Sequence, residues 1–193
     1  MWEDIWTAAA TGEVAFAGGT LLFAVTPGMT VIDIDGELPA RELALAAVPA
    51  LAHNVRLFDL GGSIGIDFPT LPDKRDRRAV DEALSAALTD WPHERTAMNG
   101  FGFVQLVARL DGPSLLHRLA FRESDACARR LLRQAEMLQG AGRIQLTASP
   151  AVKAALRGEW LEELRRRAGC SVEVRVDPTI APEAGHAQMV GHE

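Results

Sequence analysis

Met29-Thr30-Val31-Ile32-Asp33-Ile34-Asp35-Gly36 and Leu60-Gly61-Gly62-Ser63-Ile64-Gly65-Ile66-Asp67-Phe68 are the two stretches on which the reading of this chain turns. Each is an apolar strand pattern with carboxylates set into it. Alternate side chains of a strand share a face. Val31, Asp33 and Asp35 therefore point one way and Ile32 and Ile34 the other; Ile64, Ile66 and Phe68 oppose Ser63, Gly65 and Asp67. Between the two stretches, Pro39–Val55 reads as a helix with Leu43, Ala47 and Leu51 on one stripe, and a helical crossover is what a parallel neighbour needs. The two strands are expected side by side, with Asp33 and Asp67 brought together.

Working outward, Glu13–Phe16 and Thr20–Thr26 read as strands joined at Gly18-Gly19, and Pro27-Gly28 leads into Met29–Asp35 to complete an antiparallel meander. Residues 1–11 form a short amphipathic start anchored by Ile5 and Trp6. Pro49 is expected to break or kink its helix. Asp73–Asp90 is amphipathic, with Ala79, Leu84, Ala87 and Leu88 on its apolar side, and Glu94–Met98 and Phe101–Ala108 flank the hairpin signal Asn99-Gly100. A connector at Asp111-Gly112-Pro113 divides the chain. Residues 1–122 are expected to form an α/β domain of the α+β kind, a mixed sheet with flanking helices. Residues 123–193 form a second, smaller α/β domain: a helix at Ser124–Leu138, a strand at Arg143–Thr147, a helix over Pro150–Gly169 broken at Gly158, and strands at Ser171–Val176 and Ala187–Val190.

Composition narrows the function classes. With 48% hydrophobic and 24% charged residues, the 193-residue chain has the make-up of a soluble globular protein. A net charge of −6 argues against nucleic-acid binding by bulk charge, and the absence of Tyr leaves few stacking platforms. Cys127 and Cys170 lack Cys-x-x-Cys spacing, so no zinc is expected, and unpaired thiols without a signal sequence point to a reducing, cytoplasmic setting. No apolar run reaches membrane-span length.

Two carboxylates converging at a sheet edge can hold magnesium, which takes one or two protein carboxylates and keeps several waters. Asp33 and Asp67 are the candidates, Asp35 a third; the alternative is that these aspartates cap turns. Lys74, Arg75, Arg77 and Arg78 crowd a helix N-terminus, where the macrodipole disfavours cations unless an anion lies between; Asp73 and Asp76 are local partners. Arg56 beside Asp59 reads either as a phosphate contact or as an ion pair. The five histidines (His53, His93, His117, His186 and His192) are scattered without metal spacing and read as solvated. Trp160 with Leu161 and Leu164 reads as core.

Arg56-Leu57-Phe58-Asp59-Leu60-Gly61-Gly62 followed by Ile66-Asp67-Phe68 resembles the arginine-leucine-arginine-aspartate-leucine-glycine-glycine…isoleucine-aspartate-phenylalanine block of the ribonuclease E/G family. Val31–Gly36 resembles its preceding aspartate strand, Arg75 and Arg78-Ala79-Val80 its next helix, and Phe101-Gly102 its phenylalanine-glycine. The resemblance runs from about Glu13 to Ala108, and more weakly into the tail. It implies a magnesium-dependent endoribonuclease acting on single-stranded RNA, with manganese as a substitute, Asp33 and Asp67 as metal-binding catalytic aspartates, and Lys74, Arg75, Arg78 and Arg56 as RNA contacts.

Four departures stand out. Asp35 replaces the family asparagine, Thr70 an acidic residue, and Ala108 an arginine, with Arg109 one place on; Cys127 has no partner for the family's zinc link. The family's oligonucleotide-barrel and 5′-end-sensor domains have no counterpart in the sequence. The expectation is a minimal endoribonuclease that relies on a homo-oligomer or a separate RNA-binding subunit, or else a degenerate member that binds RNA or a protein without cutting.

Overall fold

The computed structural model describes residues 2–191, which leaves His192 outside the described residues. The chain divides into two compact units, Met1–Ala120 and Phe121–Glu193. Among the described residues no helix is long and apolar enough to cross a membrane.

In the first unit, helix α1 (Trp2–Thr11) precedes a mixed six-stranded sheet of order β1-β2-β3-β4-β6-β5. Its strands are β1 (Glu13–Phe16), β2 (Gly19–Val25), β3 (Thr30–Gly36), β4 (Gly62–Asp67), β5 (His93–Arg95) and β6 (Phe103–Ala108). The meander β1-β2-β3 is antiparallel. Helix α2 (Ala40–Leu57) then carries the chain back so that β4 runs parallel to β3. Helix α3 (Lys74–Ala87) follows β4, and β6 closes antiparallel on β4 and β5.

Alternation makes one sheet face apolar, with the buried Thr30 at the start of β3 as its polar exception. Leu21, Phe23, Ile32, Ile34, Ile64, Ile66, Val104 and Leu106 are all buried there with the inner stripe of α2: Leu43, Ala44, Ala47, Val48, Leu51 and Val55. Pro49 does not divide α2, which is continuous. The ring removes one N–H and orphans the carbonyl four residues back. Pro49 lies on the exposed side, where water can serve that carbonyl, while the buried stripe holds the turns before and after it on the sheet.

The turns differ from expectation in two places. The first hairpin turns at Ala17-Gly18, because Gly19 is drawn into β2 opposite Phe16; a Cβ on Gly19 would lie 2.4 Å from the Asp35 carbonyl oxygen. The Asn99-Gly100 signal does not make a two-residue hairpin either. Residues 96–102 connect β5 to β6, and Asn99 opens a turn closed by the Gly102 N–H donating to its carbonyl at 3.2 Å.

The second unit repeats the logic on a smaller scale, with a three-stranded sheet of order β8-β7-β9. Strand β7 (Arg143–Ala148) pairs parallel with β8 (Val172–Val176) through helices α6 (Pro150–Ala155) and α7 (Gly158–Ala168), and antiparallel with β9 (His186–Val190). Helix α4 (Leu115–Phe121), unforeseen in the connector, belongs to the first unit but for its last residue, and α5 (Glu123–Glu136) opens the helical part of the second. Trp160 is not core. It is half-buried, with the Arg129 and Arg157 guanidiniums 4.6 and 4.7 Å from its ring centroid, whereas Leu161 and Leu164 are buried.

Candidate functional site

The opposite face of the first sheet is mixed, with Leu22, Val31, Phe103 and Val107 set among Asp33, Ser63, Asp67 and Gln105. In the parallel β3–β4 pair the register partners are Val31↔Gly65 and, as the last pair, Asp33↔Asp67. Register partners in neighbouring strands lie on the same face, and the strands are about 4.8 Å apart. Both aspartates are exposed, so their charge is carried at the solvated end of the sheet rather than in its core. Leu22 flanks Asp33 on β2 and Phe103 flanks Asp67 on β6.

The strand ends explain why the carboxylates are available. Ile34 lies beyond the last β3–β4 pair, and its N–H donates to Asp33 Oδ1 at 3.0 Å. Asp35 Oδ1 likewise accepts from the Gly36 N–H at 2.8 Å. The first bond joins neighbours within β3 and the second caps the turn that follows it, and both leave the remaining oxygens unengaged. Among the described residues no cation pairs with Asp33, Asp35 or Asp67. Two adjacent carboxylates without a cation repel one another, and this donor set suits a hard divalent cation that retains water. No cluster of three or more His, Cys, Asp or Glu side chains exists among the described residues, so a cation here would rest on the aspartate pair and water. Asp35 lies on the same face as Asp33, two residues further along β3 and about 6.8 Å away by strand rise.

The cations separate into two groups. Lys74, Arg75 and Arg78 lie at the start of α3, which follows the Asp67 end of β4 after the connection 68–73. Asp73 caps that helix, its Oδ1 accepting from the Arg75 N–H at 2.7 Å and its Oδ2 pairing with the Arg75 guanidinium at 3.0 Å. These contacts, the side chain first, hold the Asp73 carboxyl below its ordinary range. Asp76 pairs instead with Arg41 of α2 at 3.0 Å. Lys74 and Arg78 are exposed and have no ion-pair partner among the described residues.

Arg56 is not brought to the aspartates. It sits in the last turn of α2, its guanidinium donating to the Ala52 carbonyl and, at 3.0 Å, to the Ala87 carbonyl at the end of α3. It ties two helix C-termini together, where a cation complements the macrodipole. That end of α2 is some 24 Å of helix rise from its start beside β3.

The remaining departures are also placed. Strand β6 runs antiparallel to β4, so Phe103 meets Asp67 while Ala108 meets Gly62 at the opposite end. Arg109 pairs with Asp111 at 2.6 Å. The Thr70 hydroxyl donates to the Phe101 carbonyl at 3.3 Å. Of the histidines, His53 and His186 are exposed. His93 and His117 are half-buried and bonded, His93 to the Trp91 carbonyl at 2.6 Å and His117 to Ser114 Oγ at 2.7 Å. One feature had no sequence signal beyond its family motif. Phe101, in the turn before β6, is 81% exposed.

No protein-family model matches the chain. Ribonuclease G of Salmonella typhimurium is 31% identical over 197 aligned residues, covering 86% of this chain and 40% of that protein. Ribonuclease G of Escherichia coli K12 is 30% identical with the same coverage. A chloroplastic ribonuclease E/G-like protein of Arabidopsis thaliana is 32% identical over 82 residues, covering 37% of this chain and 8% of that protein. The chain thus spans about two fifths of the bacterial relatives' length. Those alignments reach well beyond the aspartate strands, and the chain belongs to the ribonuclease E/G family.

Proposed function

We propose that the chain is the metal-dependent core of an endoribonuclease that hydrolyses phosphodiester bonds in single-stranded RNA. The observation that supports it best is the pairing of Asp33 with Asp67 on the open sheet face, in a relative of Ribonuclease G. Asp33 and Asp67 would hold magnesium, or manganese in its place. Such an ion, when bound, stabilises charge on the scissile phosphate and generates a hydroxide-like nucleophile near neutral pH. The chain's own contribution is positional. The two carboxylates are fixed by strand register, and Lys74, Arg75 and Arg78 lie after β4 as cationic contacts for the RNA backbone, which sets affinity more than sequence preference. A cytoplasmic location accompanies this reading.

A second reading, RNA binding without cleavage, is favoured by Asp35. A third carboxylate on the Asp33 side adds negative charge where a phosphate would approach. One experiment separates the two. Purified protein is incubated with labelled single-stranded RNA in magnesium and in EDTA, alongside Asp33→Asn and Asp67→Asn. Magnesium-dependent cleavage that falls on the order of a hundredfold or more in both variants is expected, since several kcal/mol of charge stabilisation is removed. Cleavage that survives Asp67→Asn sinks the first reading. Binding with metal-independent affinity and no cutting establishes the second.

A further inference from the structure

We infer that Phe101 is a stacking platform for a nucleobase of a single strand whose backbone Lys74, Arg75 and Arg78 contact beside the Asp33–Asp67 pair; this rests on the RNA reading above. At 81% exposure its side chain is more open than any other large exposed hydrophobic among the described residues, the next being Met137 at 66%. Its backbone is the opposite of free. The Asn99 Oδ1 accepts from the Phe101 N–H at 2.8 Å and the Phe103 N–H at 3.1 Å, and the Thr70 hydroxyl binds the Phe101 carbonyl. Next to it, Gly102 takes φ +93°, and its carbonyl accepts from the Phe68 N–H at 3.2 Å. A ring with no packing of its own is therefore presented on a fixed turn, and pre-ordering of this kind lowers the entropic cost of binding.

Position decides what it meets. Phe68 follows Asp67, and Phe103 is the register partner of Asp67, so the turn carrying Phe101 is bonded to the next residue in the chain and to the cross-strand partner of the second carboxylate. Lys74, Arg75 and Arg78 follow from the same end of β4. An aromatic face beside phosphate-binding groups is the combination that holds single strands, because every base has a π-face. A protein-docking patch would need a contiguous apolar surface of several hundred square ångströms. The Phe101 backbone is bonded to polar Asn99 and Thr70, the nearby Phe103 is half-buried, and the exposed Val107 and Leu110 lie at the other end of β6.

The test measures binding of a fluorescein-labelled single-stranded oligoribonucleotide by anisotropy in EDTA, where cleavage does not intervene. Phe101→Ala is expected to weaken binding about 5- to 150-fold, the range for one stacked base. Phe101→Trp should bind at least as tightly as wild type. Phe101→Leu, apolar but without a π-face, should resemble Phe101→Ala. An oligonucleotide series with one abasic position should contain a member for which wild type and Phe101→Ala bind equally. Equal affinity of Phe101→Ala and wild type for the intact strand overturns the inference, as does undetectable binding by wild type. So does a loss explained by dissociation of an oligomer, read by light scattering on the same samples. Failure of the cleavage reading shows separately, as RNA bound through Phe101 but left uncut in magnesium.

Discussion

Gly102→Ala should damage the site and the fold together, whereas Gly100→Ala, two residues away in the same turn, should do neither. At Gly102 the backbone has φ +93°, and an added Cβ would lie 2.3 Å from the Phe68 carbonyl oxygen, a backbone atom that cannot swing aside. Placing an L-residue at positive φ costs about 1–2 kcal/mol. Relief of the clash pulls Gly102 from Phe68 and sacrifices the Phe68 N–H bond to its carbonyl, about 0.5–1.5 kcal/mol more. The sum with residual strain is roughly 2–4 kcal/mol, which for a unit of this size lowers Tm by roughly 6–20 °C. At Gly100 a Cβ meets nothing within 4 Å, so alanine there should be neutral or stabilise by about 0.4–1 kcal/mol through the unfolded chain. Thermal unfolding followed by circular dichroism measures both. RNA cleavage per folded molecule should fall for Gly102→Ala, since Phe68 adjoins Asp67, and hold for Gly100→Ala. Equal melting temperatures for the two variants would refute the reasoning.

Three further outcomes follow from other contacts. Asp81 pairs with Arg95 at 2.8 Å and accepts the Met98 N–H at 3.1 Å, with both ionic side chains about one-fifth exposed; Asp81→Ala should destabilise by about 2–3 kcal/mol in urea titrations. Hydrogen bonds from Arg166 and then Arg167 hold the Glu163 carboxyl at about 2 against an ordinary 4.5. Its contribution is therefore present above pH 4.5 and lost as pH falls toward 2. Glu163→Gln should flatten the pH dependence of the second unit's urea midpoint in that window, and an unchanged slope would count against the pairing. Burial pushes the Cys127 thiol up to about 11, so at pH 8 it is protonated and should resist a disulfide reagent until the protein unfolds; prompt labelling of Cys127, located by peptide mapping, would contradict this.

Period and spacing made most of the first unit legible. Alternation in Met29–Gly36 and Leu60–Phe68, with one helix between, was enough to predict a parallel pair and the meeting of Asp33 with Asp67. The turns were harder, because a glycine pair does not say which member belongs to the strand. Gly19 is needed inside β2, where the Asp35 carbonyl and Leu43 come too close for a Cβ. Asn99 serves through its side chain, accepting two N–H groups, so its turn is longer than Asn-Gly suggests. Pro49 misled because a proline's cost depends on which side of the helix it faces. The residue whose separation from the site could have been counted is Arg56. Sixteen positions into a helix that starts beside Asp33, it had to lie at the far end of the sheet.

That geometry also reorders the departures from the family pattern. Ala108 and Arg109 weigh little against the catalysis proposed at the aspartates, because they lie beside Gly62, about 17 Å of strand from Phe103 and Asp67. Thr70 has become a structural donor to the Phe101 carbonyl, holding the turn rather than contributing charge. Asp35 alone shares both strand and face with Asp33. Its effect has opposite signs on the two quantities of interest. A third carboxylate about 7 Å away strengthens attraction for a dication and repels an incoming phosphate, in each case through exposed charges that salt screens. Asp35→Asn should therefore weaken divalent-ion binding, read by the magnesium-dependent rise in Tm, while tightening RNA binding in EDTA, with both shifts shrinking as ionic strength rises. A charge that only caps the Gly36 turn would move neither.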